Sequence, residues 1–206
     1  MIKLQREYDE LAEMYEKNRG IFDMSGILSS YWNFLECPSG KLLDLGCGAG
    51  EPVARWFIDR NWLVEGIDYS RKMLELAAKY APEMKVYYAD MREIGLTDHL
   101  YDGITAVYSL FHLPIPDQIK MFAKISRWLK PGGKFLFTYA TKEYTGLEEF
   151  SGFKDFMGQN LFYSHTTPLK LEKQLTAANL EICSQKYLEI GGETFLWVIA
   201  ESTKLN

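Results

Sequence analysis

Apolar positions divide the chain into short segments of two kinds that alternate along most of its length. In one kind they recur every three or four residues, as on one face of a helix, and in the other they run almost continuously, as in a buried parallel strand. The predicted helices are 1–18, 24–36, 53–59, 71–81, 116–128 and 167–179. The predicted strands are 41–46, 62–68, 85–89, 101–108, 134–139, 180–189 and 194–201. This alternation predicts an α/β domain with a mostly parallel sheet.

Residues 141–166 fit neither pattern. Six aromatic residues lie between Tyr144 and Tyr163, with glycines among them. Loops this long in compact domains are functional or disordered, and the aromatic content argues against disorder. We expect an insertion that covers a pocket and helps to select its ligand; a packed surface excursion is the alternative.

The last two predicted strands are separated by Gly191 and Gly192, which is typical of a hairpin turn. Leu129 to Gly133 reads as a helix end followed by a tight turn into strand 134–139. The chain therefore ends in an antiparallel hairpin after a run of strands that are connected by helices.

The first strand leads into a turn rich in glycine, within the sequence KLLDLGCGAGEP at 41–52. Gly46, Gly48 and Gly50 permit φ > 0 and a close approach of a ligand to the backbone. A predicted helix follows directly, so free N–H groups also face this turn. These features predict a nucleotide-type binding turn.

The string LLDLGCGAG resembles the first motif of the class I, Rossmann-like S-adenosylmethionine-dependent methyltransferases, and LKPGGKFLF at 129–137 is also characteristic of that family. In the dinucleotide fingerprint the third glycine follows the second by three residues, whereas here it follows by two. Asp44 would also repel a pyrophosphate, but it can hold the ammonium group of S-adenosylmethionine. The resemblance implies a mixed seven-stranded sheet, with its last strand antiparallel and helices on both faces.

The resemblance also implies a set of cofactor contacts. Asp68, at the end of the second strand, is expected to accept hydrogen bonds from the ribose hydroxyls, and Asp90 from the adenine amino group, with the backbone N–H of Met91 donating to the ring. Tyr15, with Arg19 after it, and Met73 are expected near the cofactor; ordinary core packing is the alternative for both Tyr15 and Met73. The expected cofactor-binding residues are Tyr15, Asp44, Gly46, Cys47, Gly48, Asp68, Tyr69, Met73, Asp90, Met91 and Tyr108.

His112 follows the fourth strand, where the family places its active-site turn and where open α/β sheets bind ligands. We expect it to orient or deprotonate the acceptor, with Tyr108 and Tyr163 as helpers; a positioned ring without proton transfer is the alternative. The expected substrate residues are Phe150, Tyr163 and His165. His99 lies in a loop before the fourth strand and is expected to face away from the site.

Composition narrows the possible acceptors and compartments. The net charge of −5 argues against a long phosphate-contacting surface. The active-site turn lacks both the Asn/Asp-Pro-Pro-aromatic motif and the Pro-Cys pair of nucleobase-modifying methyltransferases, so no DNA partner is expected. Three widely spaced cysteines indicate no metal site and fit a reducing compartment. No segment resembles a signal peptide or membrane span, so we expect a cytoplasmic protein.

The expected organisation is one methyltransferase domain over 1–206. It would consist of an N-terminal helical cap (1–40), a cofactor-binding core (41–140), the aromatic insertion (141–166), and a final helix and hairpin (167–206). The expected function is transfer of a methyl group from S-adenosylmethionine to a small, partly apolar acceptor. The alternatives are an S-adenosylmethionine-binding protein without turnover, a protein or RNA acceptor, and an NAD-type oxidoreductase, which the glycine spacing and final hairpin oppose.

Overall fold

The computed structural model describes residues 4–17, 20 and 22–203. The helices there are α1 Gln5–Lys17, α2 Ser25–Leu35, α3 Val53–Ile58, α4 Arg71–Tyr80, α5 Ile115–Trp128, α6 Lys142–Thr145 and α7 Pro168–Ala177. The strands are β1 Lys41–Leu45, β2 Leu63–Asp68, β3 Lys85–Tyr88, β4 Tyr101–Ala106, β5 Leu129–Tyr139, β6 Phe150–Phe156, β7 Gln159–His165, β8 Leu180–Ile190 and β9 Glu193–Ser202. Every helix and strand predicted from the sequence is present, and most ends lie within two residues of the predicted ones.

Seven strands form one sheet in the order β3-β2-β1-β4-β5-β9-β8. Strands β1 to β5 run parallel to one another, whereas β9 runs antiparallel to both β5 and β8. The predicted mixed sheet with an antiparallel last strand is therefore confirmed. Because β1 lies between β2 and β4, the chain reverses direction across the sheet at β1, and a crevice is expected at its carboxyl end.

Both faces of the sheet are covered by hydrophobic side chains. One cluster contains Tyr31 and Phe57, and the other contains Trp128 and Phe135, and all four are fully buried. Strand β1 is buried at four of its five positions, which explains its nearly continuous apolar sequence. The polar residues that follow the parallel strands are therefore held at one edge of a packed core.

The prediction that residues 141–166 lack regular structure was wrong. The segment contains α6 and an antiparallel hairpin of β6 and β7, paired in register from Phe150↔His165 to Phe156↔Gln159. Met157 and Gly158 form the turn with φ of 52° and 80°. A two-residue hairpin turn with both φ angles positive favours Asn-Gly or Asp-Gly, so the methionine concealed the turn signal.

Strand β5 also begins earlier than predicted, at Leu129 instead of residue 134. Leu129 pairs with Tyr101 before a register shift, and regular pairing resumes at Gly103↔Lys134. The Pro-Gly-Gly turn is therefore an irregularity at the start of the strand. In the described part of the chain no helix has the length and apolar character required to cross a membrane.

Candidate functional site

The glycine-rich turn folds back onto the end of β2. The N–H groups of Gly46 and Cys47 both donate to the carbonyl of Ile67, at 2.8 and 3.1 Å. Gly46 has φ of +75°, and a Cβ added there would lie 2.6 Å from the Cβ of Ser109. Gly48 has φ of +50°, but its added Cβ would meet no atom within 4 Å. Packing against Ser109 therefore requires glycine at position 46, whereas the space beside the Gly48 backbone is open.

Asp44 is buried at the end of β1, where its Oδ1 accepts a hydrogen bond of 2.7 Å from the hydroxyl of Thr105. Burial raises the pKa of this carboxyl, the Thr105 hydrogen bond lowers it and the nearby Asp68 raises it, with a net value of about 7. A carboxylate with one neutral hydrogen-bond partner and a neighbouring acid favours a cationic ligand group.

Asp68 is buried at the end of β2 and is held by backbone donors. Its Oδ2 accepts from the N–H of Gly48 at 2.9 Å, and its Oδ1 accepts from the N–H of Ser70 at 2.8 Å. Burial raises its pKa, although these backbone hydrogen bonds lower it. Each oxygen has a second lone pair, so the carboxylate can still accept from two hydroxyl groups of a ligand.

Asp90 follows β3 and is paired with Arg92. The guanidinium Nε lies 2.9 Å from one carboxylate oxygen, and a terminal nitrogen lies 2.6 Å from the other. This pair orients the carboxylate and lies beside the buried side chain of Met91. The sequence did not indicate this partner, because a carboxylate two residues before an arginine is common in loops.

These groups meet in one cavity of about 740 Å³ at the carboxyl edge of the parallel strands. All of the predicted cofactor residues line it, namely Tyr15, Asp44, Gly46, Cys47, Gly48, Asp68, Tyr69, Met73, Asp90, Met91 and Tyr108. His112 and Tyr163 also line it. The structure thus brings together thirteen of the fifteen residues that the sequence analysis assigned to the site.

Phe150 and His165 lie outside the cavity lining. Their rings stack on each other at the base of the β6–β7 hairpin, with centroids 6.3 Å apart. His165 also contacts Thr145, with 2.7 Å between Nε2 and Oγ1. It lies two residues beyond Tyr163 on the same strand face, which carries it past the end of the cavity. No contact with the cavity supports a substrate role for these two residues.

Helix α1 lies over the cavity and is attached at several points. The hydroxyl of Tyr15 donates to the carbonyl of Glu51 at 2.6 Å, next to the glycine-rich turn. Asp9 accepts from the hydroxyl of Ser70 at 2.6 Å, which joins the helix to the start of α4. Arg19, named beside Tyr15 in the sequence analysis, lies outside the described residues.

His112 lies in a 3-10 turn after β4 and is buried between two partners. Its Nδ1 is 2.7 Å from the carbonyl of Phe162, and its Nε2 is 2.7 Å from the hydroxyl of Tyr8. Burial lowers the pKa of the ring to about 4, against the effect of the Phe162 hydrogen bond. The ring is therefore neutral at pH 7, with the proton on Nδ1, and Tyr8 donates to Nε2.

Tyr108 has a left-handed backbone, with φ of 52°. Its N–H donates to Thr138 at 2.6 Å, and its ring packs edge-on against Phe195 and Trp197. Its buried hydroxyl has no hydrogen-bond partner among the described residues. Strained backbone and unpaired buried polar groups concentrate at functional sites, so this hydroxyl is a candidate ligand contact.

Tyr8 and Glu193 are polar residues of the site that sequence reasoning did not assign to it. Tyr8 lies on α1, and its hydroxyl reaches His112, which is 104 residues away in the chain. Glu193 begins β9, after the glycine pair, and lines the cavity. A glutamate after a hairpin turn is ordinarily exposed, so nothing in the local pattern marked it.

The comparisons with known proteins agree with the predicted family. Residues 42–133 match the family model described as a methyltransferase domain. The chain is 36% identical over 100 residues to a 27-O-demethylrifamycin SV methyltransferase of Amycolatopsis mediterranei, a match that covers 46% of this chain and 36% of that protein. It is 32% identical over 131 residues to phosphoethanolamine N-methyltransferase 2 of Caenorhabditis elegans, which covers 61% and 29% respectively. The chain thus spans about a third of the length of these curated relatives.

A solved structure with a similar fold extends the likeness to nearly the whole chain. It is the Burkholderia thailandensis 1,6-didemethyltoxoflavin-N1-methyltransferase with bound 1,6-didemethyltoxoflavin and S-adenosylhomocysteine. The TM-score is 0.68 at 17% identity, with 99% of this chain and 92% of that chain covered. At this identity the similarity concerns the fold.

Proposed function

We propose that this chain, whose residues 42–133 match a methyltransferase domain and whose fold resembles that of solved S-adenosylmethionine-dependent methyltransferases, transfers the methyl group of S-adenosylmethionine to a small, partly apolar acceptor. The transfer is a direct in-line displacement, in which the acceptor atom attacks the methyl carbon and the sulfur leaves as a thioether. Holding the two reactants in line can supply roughly 7–11 kcal/mol of the activation free energy.

One observation carries the proposal: two buried neighbouring carboxylates and the open side of Gly48 face the same cavity. A Cβ atom at position 48 would occupy the space in which a ligand contacts the protein backbone at Gly48. Burial and the charge of Asp68 raise the energetic cost of ionising Asp44, and a cationic ligand relieves that cost. S-adenosylmethionine is cationic at both its sulfonium and its ammonium group, whereas the pyrophosphate of NAD would meet repulsion here.

In this proposal Asp44 and the glycine-rich turn hold the methionine portion, and Asp68 accepts from the ribose hydroxyls. Asp90, oriented by Arg92, accepts from the adenine amino group. The cap of 1–40 and the insertion of 141–166 close one methyltransferase domain around the acceptor. Relatives are named for both oxygen and nitrogen acceptors, so the family by itself does not select the acceptor atom.

His112 has a positioning role in the proposal. With a pKa of about 4 and both ring nitrogens engaged, it is a weak proton acceptor at pH 7. It fixes the Tyr8 hydroxyl, and through Tyr8 the N-terminal helix, at the wall of the cavity. We expect His112→Asn to weaken that contact and to slow single-turnover methyl transfer; an unchanged rate would remove His112 from the mechanism.

The test of the cofactor is a thermal melt with S-adenosylmethionine, S-adenosylhomocysteine and NAD in parallel. Ligand at about a hundred times its dissociation constant adds roughly 2.7 kcal/mol to the free energy of unfolding. For a chain of this size the expected rise in melting temperature is roughly 5–10 °C. A rise with the first two ligands and none with NAD is expected. A rise with NAD alone would overturn the proposal, and methyl transfer to any acceptor would exclude a protein that only binds the cofactor.

A further inference from the structure

Glu193, at the start of β9, is half-buried and lines the cavity. Burial raises the pKa of its carboxyl, and the nearby Tyr144 hydroxyl lowers it. Among the described residues no lysine, arginine or histidine forms an ion pair with it. Lys154 is the cation whose charge reaches it, but that ammonium lies on the Tyr144 ring, 3.8 Å from its centroid, and is not part of the cavity lining.

A cluster of aromatic rings lines the same cavity, and one of them, Phe195, lies two residues after Glu193 on β9. Phe111 stacks on Tyr163 and on Phe195, with centroids 5.4 and 5.0 Å apart, and Tyr108 meets Phe195 edge-on at 5.3 Å. Burial raises the pKa values of Tyr108 and Tyr163, and the Glu193 charge adds to this effect. We call this group of cavity residues, Tyr108, Phe111, Tyr163, Glu193 and Phe195, the Glu193 cage.

The cage differs in charge from the rest of the cavity. Two arginines line the cavity among the described residues, and both are already paired with carboxylates: Arg55 with Asp59 and Glu83, and Arg92 with Asp90 and Asp117. The described lining of the cage contains a carboxylate, hydroxyls and ring faces, and no cation. Such a surface attracts an ammonium group by charge and by cation–π interaction, and it repels a phosphate or carboxylate.

We propose that the Glu193 cage is the acceptor site and that it takes a primary or secondary amine, bound as the ammonium ion and carrying an apolar body without phosphate. This inference rests on the proposed methyltransferase function. The unpartnered hydroxyl of Tyr108 accepts one N–H of the ammonium, and Glu193 accepts another. The apolar body lies against Phe22, Phe111 and Leu161.

The transfer step balances with these groups alone. The ammonium passes one proton to the Glu193 carboxylate, and the nitrogen lone pair is released. The nitrogen attacks the methyl carbon of S-adenosylmethionine, and the carbon–sulfur bond breaks with its electron pair on sulfur. The products are the methylated ammonium ion, S-adenosylhomocysteine and the protonated Glu193 carboxyl, which returns its proton to solvent. The half-buried position of Glu193 assists this proton transfer, because burial raises the pKa of its carboxyl.

The test is an NMR titration of the full chain, saturated with S-adenosylhomocysteine, with two probes of equal shape. The probes are 2-phenylethylamine and 2-phenylethanol, each taken to about 20 mM. We expect the amine to bind at least ten times more tightly than the alcohol, about 1.4 kcal/mol. In Glu193→Gln we expect the two dissociation constants to become equal within a factor of two. Glu189→Gln, an exposed glutamate on the same hairpin, serves as the matched control and should keep the preference.

Several results would overturn the proposal. They are equal binding of both probes to the wild type, no binding of either, or a retained preference in Glu193→Gln. Tighter binding of phosphoethanolamine than of ethanolamine would also contradict the inferred charge of the cage. Calorimetry with S-adenosylhomocysteine on the same samples distinguishes failure of this inference from failure of the proposed methyltransferase function. If that ligand binds and the amines show no preference, the proposed function stands and the inference fails. If that ligand does not bind, both fail.

Discussion

Gly46 and Gly48 both have positive φ angles, +75° and +50°, but an added Cβ atom would meet different surroundings at the two positions. At Gly46 it would collide with Ser109, whereas at Gly48 it would project into the cavity. The left-handed backbone costs a non-glycine residue roughly 1–2 kcal/mol at either position. Substitutions at the two glycines should therefore have separable effects on folding and on binding.

We expect Gly48→Ala to lower the free energy of unfolding by about 1–2 kcal/mol and to weaken S-adenosylhomocysteine binding at least tenfold. We expect Gly46→Ala to be more destabilising, by roughly 2–5 kcal/mol, since overpacking adds to the backbone strain. Thermal melts without ligand and calorimetry with S-adenosylhomocysteine separate the two effects. Wild-type affinity in Gly48→Ala would show that the ligand does not approach this backbone.

Asp44 makes the stability of the free protein depend on pH. Its pKa of about 7 in the folded state lies above the value of about 3.9 in an unfolded chain. The folded state therefore binds more protons between these values, and the free energy of unfolding falls as pH rises from about 4 to 7. The full effect of three pKa units is at most about 4 kcal/mol.

We expect Asp44→Asn to remove this part of the pH dependence, because an amide keeps the size and can accept from Thr105. Without ligand, its free energy of unfolding should be close to that of the wild type at pH 5. At pH 8 it should exceed that of the wild type by roughly 1–3 kcal/mol. The variant should also bind S-adenosylmethionine at least tenfold more weakly, since the ammonium loses its carboxylate. A stability difference that does not grow between pH 5 and pH 8 would contradict the assignment.

At the level of elements, the β6–β7 hairpin is attached to the core through a buried polar contact. The side-chain nitrogen of Gln118, on α5, donates to the carbonyls of Leu113 and Ser164 at 2.9 and 3.0 Å. The Ser164 hydroxyl also donates to Leu113, at 2.6 Å. The neighbouring carbonyl of Phe162 holds His112, so the position of the hairpin and the geometry of the site depend on each other.

We expect Gln118→Leu to destabilise the protein by roughly 2–3 kcal/mol, since two buried carbonyls lose a donor. Amide exchange in β7 should become faster, while S-adenosylhomocysteine affinity should change less than twofold. Ser126→Ala on the same helix is the control. The Ser126 hydroxyl is buried without a partner among the described residues, so its removal should be neutral or stabilising. Equal exchange rates in Gln118→Leu and the wild type would show that the hairpin does not depend on this contact.

For the molecule as a whole, the charge balance opposes a nucleic-acid acceptor. The net charge is −5, and the arginines of the cavity are engaged with carboxylates. Binding to tRNA relies on cations that neutralise phosphates. We expect fluorescence anisotropy with a labelled tRNA at 150 mM salt to show no binding below about 100 μM. Micromolar binding that weakens steeply with added salt would instead favour an RNA acceptor.

Outside residues 141–166, the sequence by itself determined the order of strands and helices along the chain, together with the acids at the ends of the first three strands. Asp44 and Asp68 lie at the ends of β1 and β2, whose apolar runs mark them as buried, and Asp90 follows the edge strand β3, so local pattern places all three at one edge of a parallel sheet. The resemblance of the glycine-rich turn to a methyltransferase motif predicted the type of ligand. These signals are local, since each depends on residues within one strand and the turn that follows it.

Tertiary structure alone added Tyr8 and Glu193 to the part of the cavity where the sequence predicts Tyr108, His112 and Tyr163. These five residues come from four separate parts of the chain, since Tyr108 and His112 share one turn, and their contacts depend on how distant segments pack. The hairpin turn at Met157 was hidden because its backbone conformation is imposed by strand pairing and not by residue preference. Periodicity tells which face of an element is buried, but the side chains that meet across a cavity are selected by long-range packing, which leaves no local pattern in the sequence.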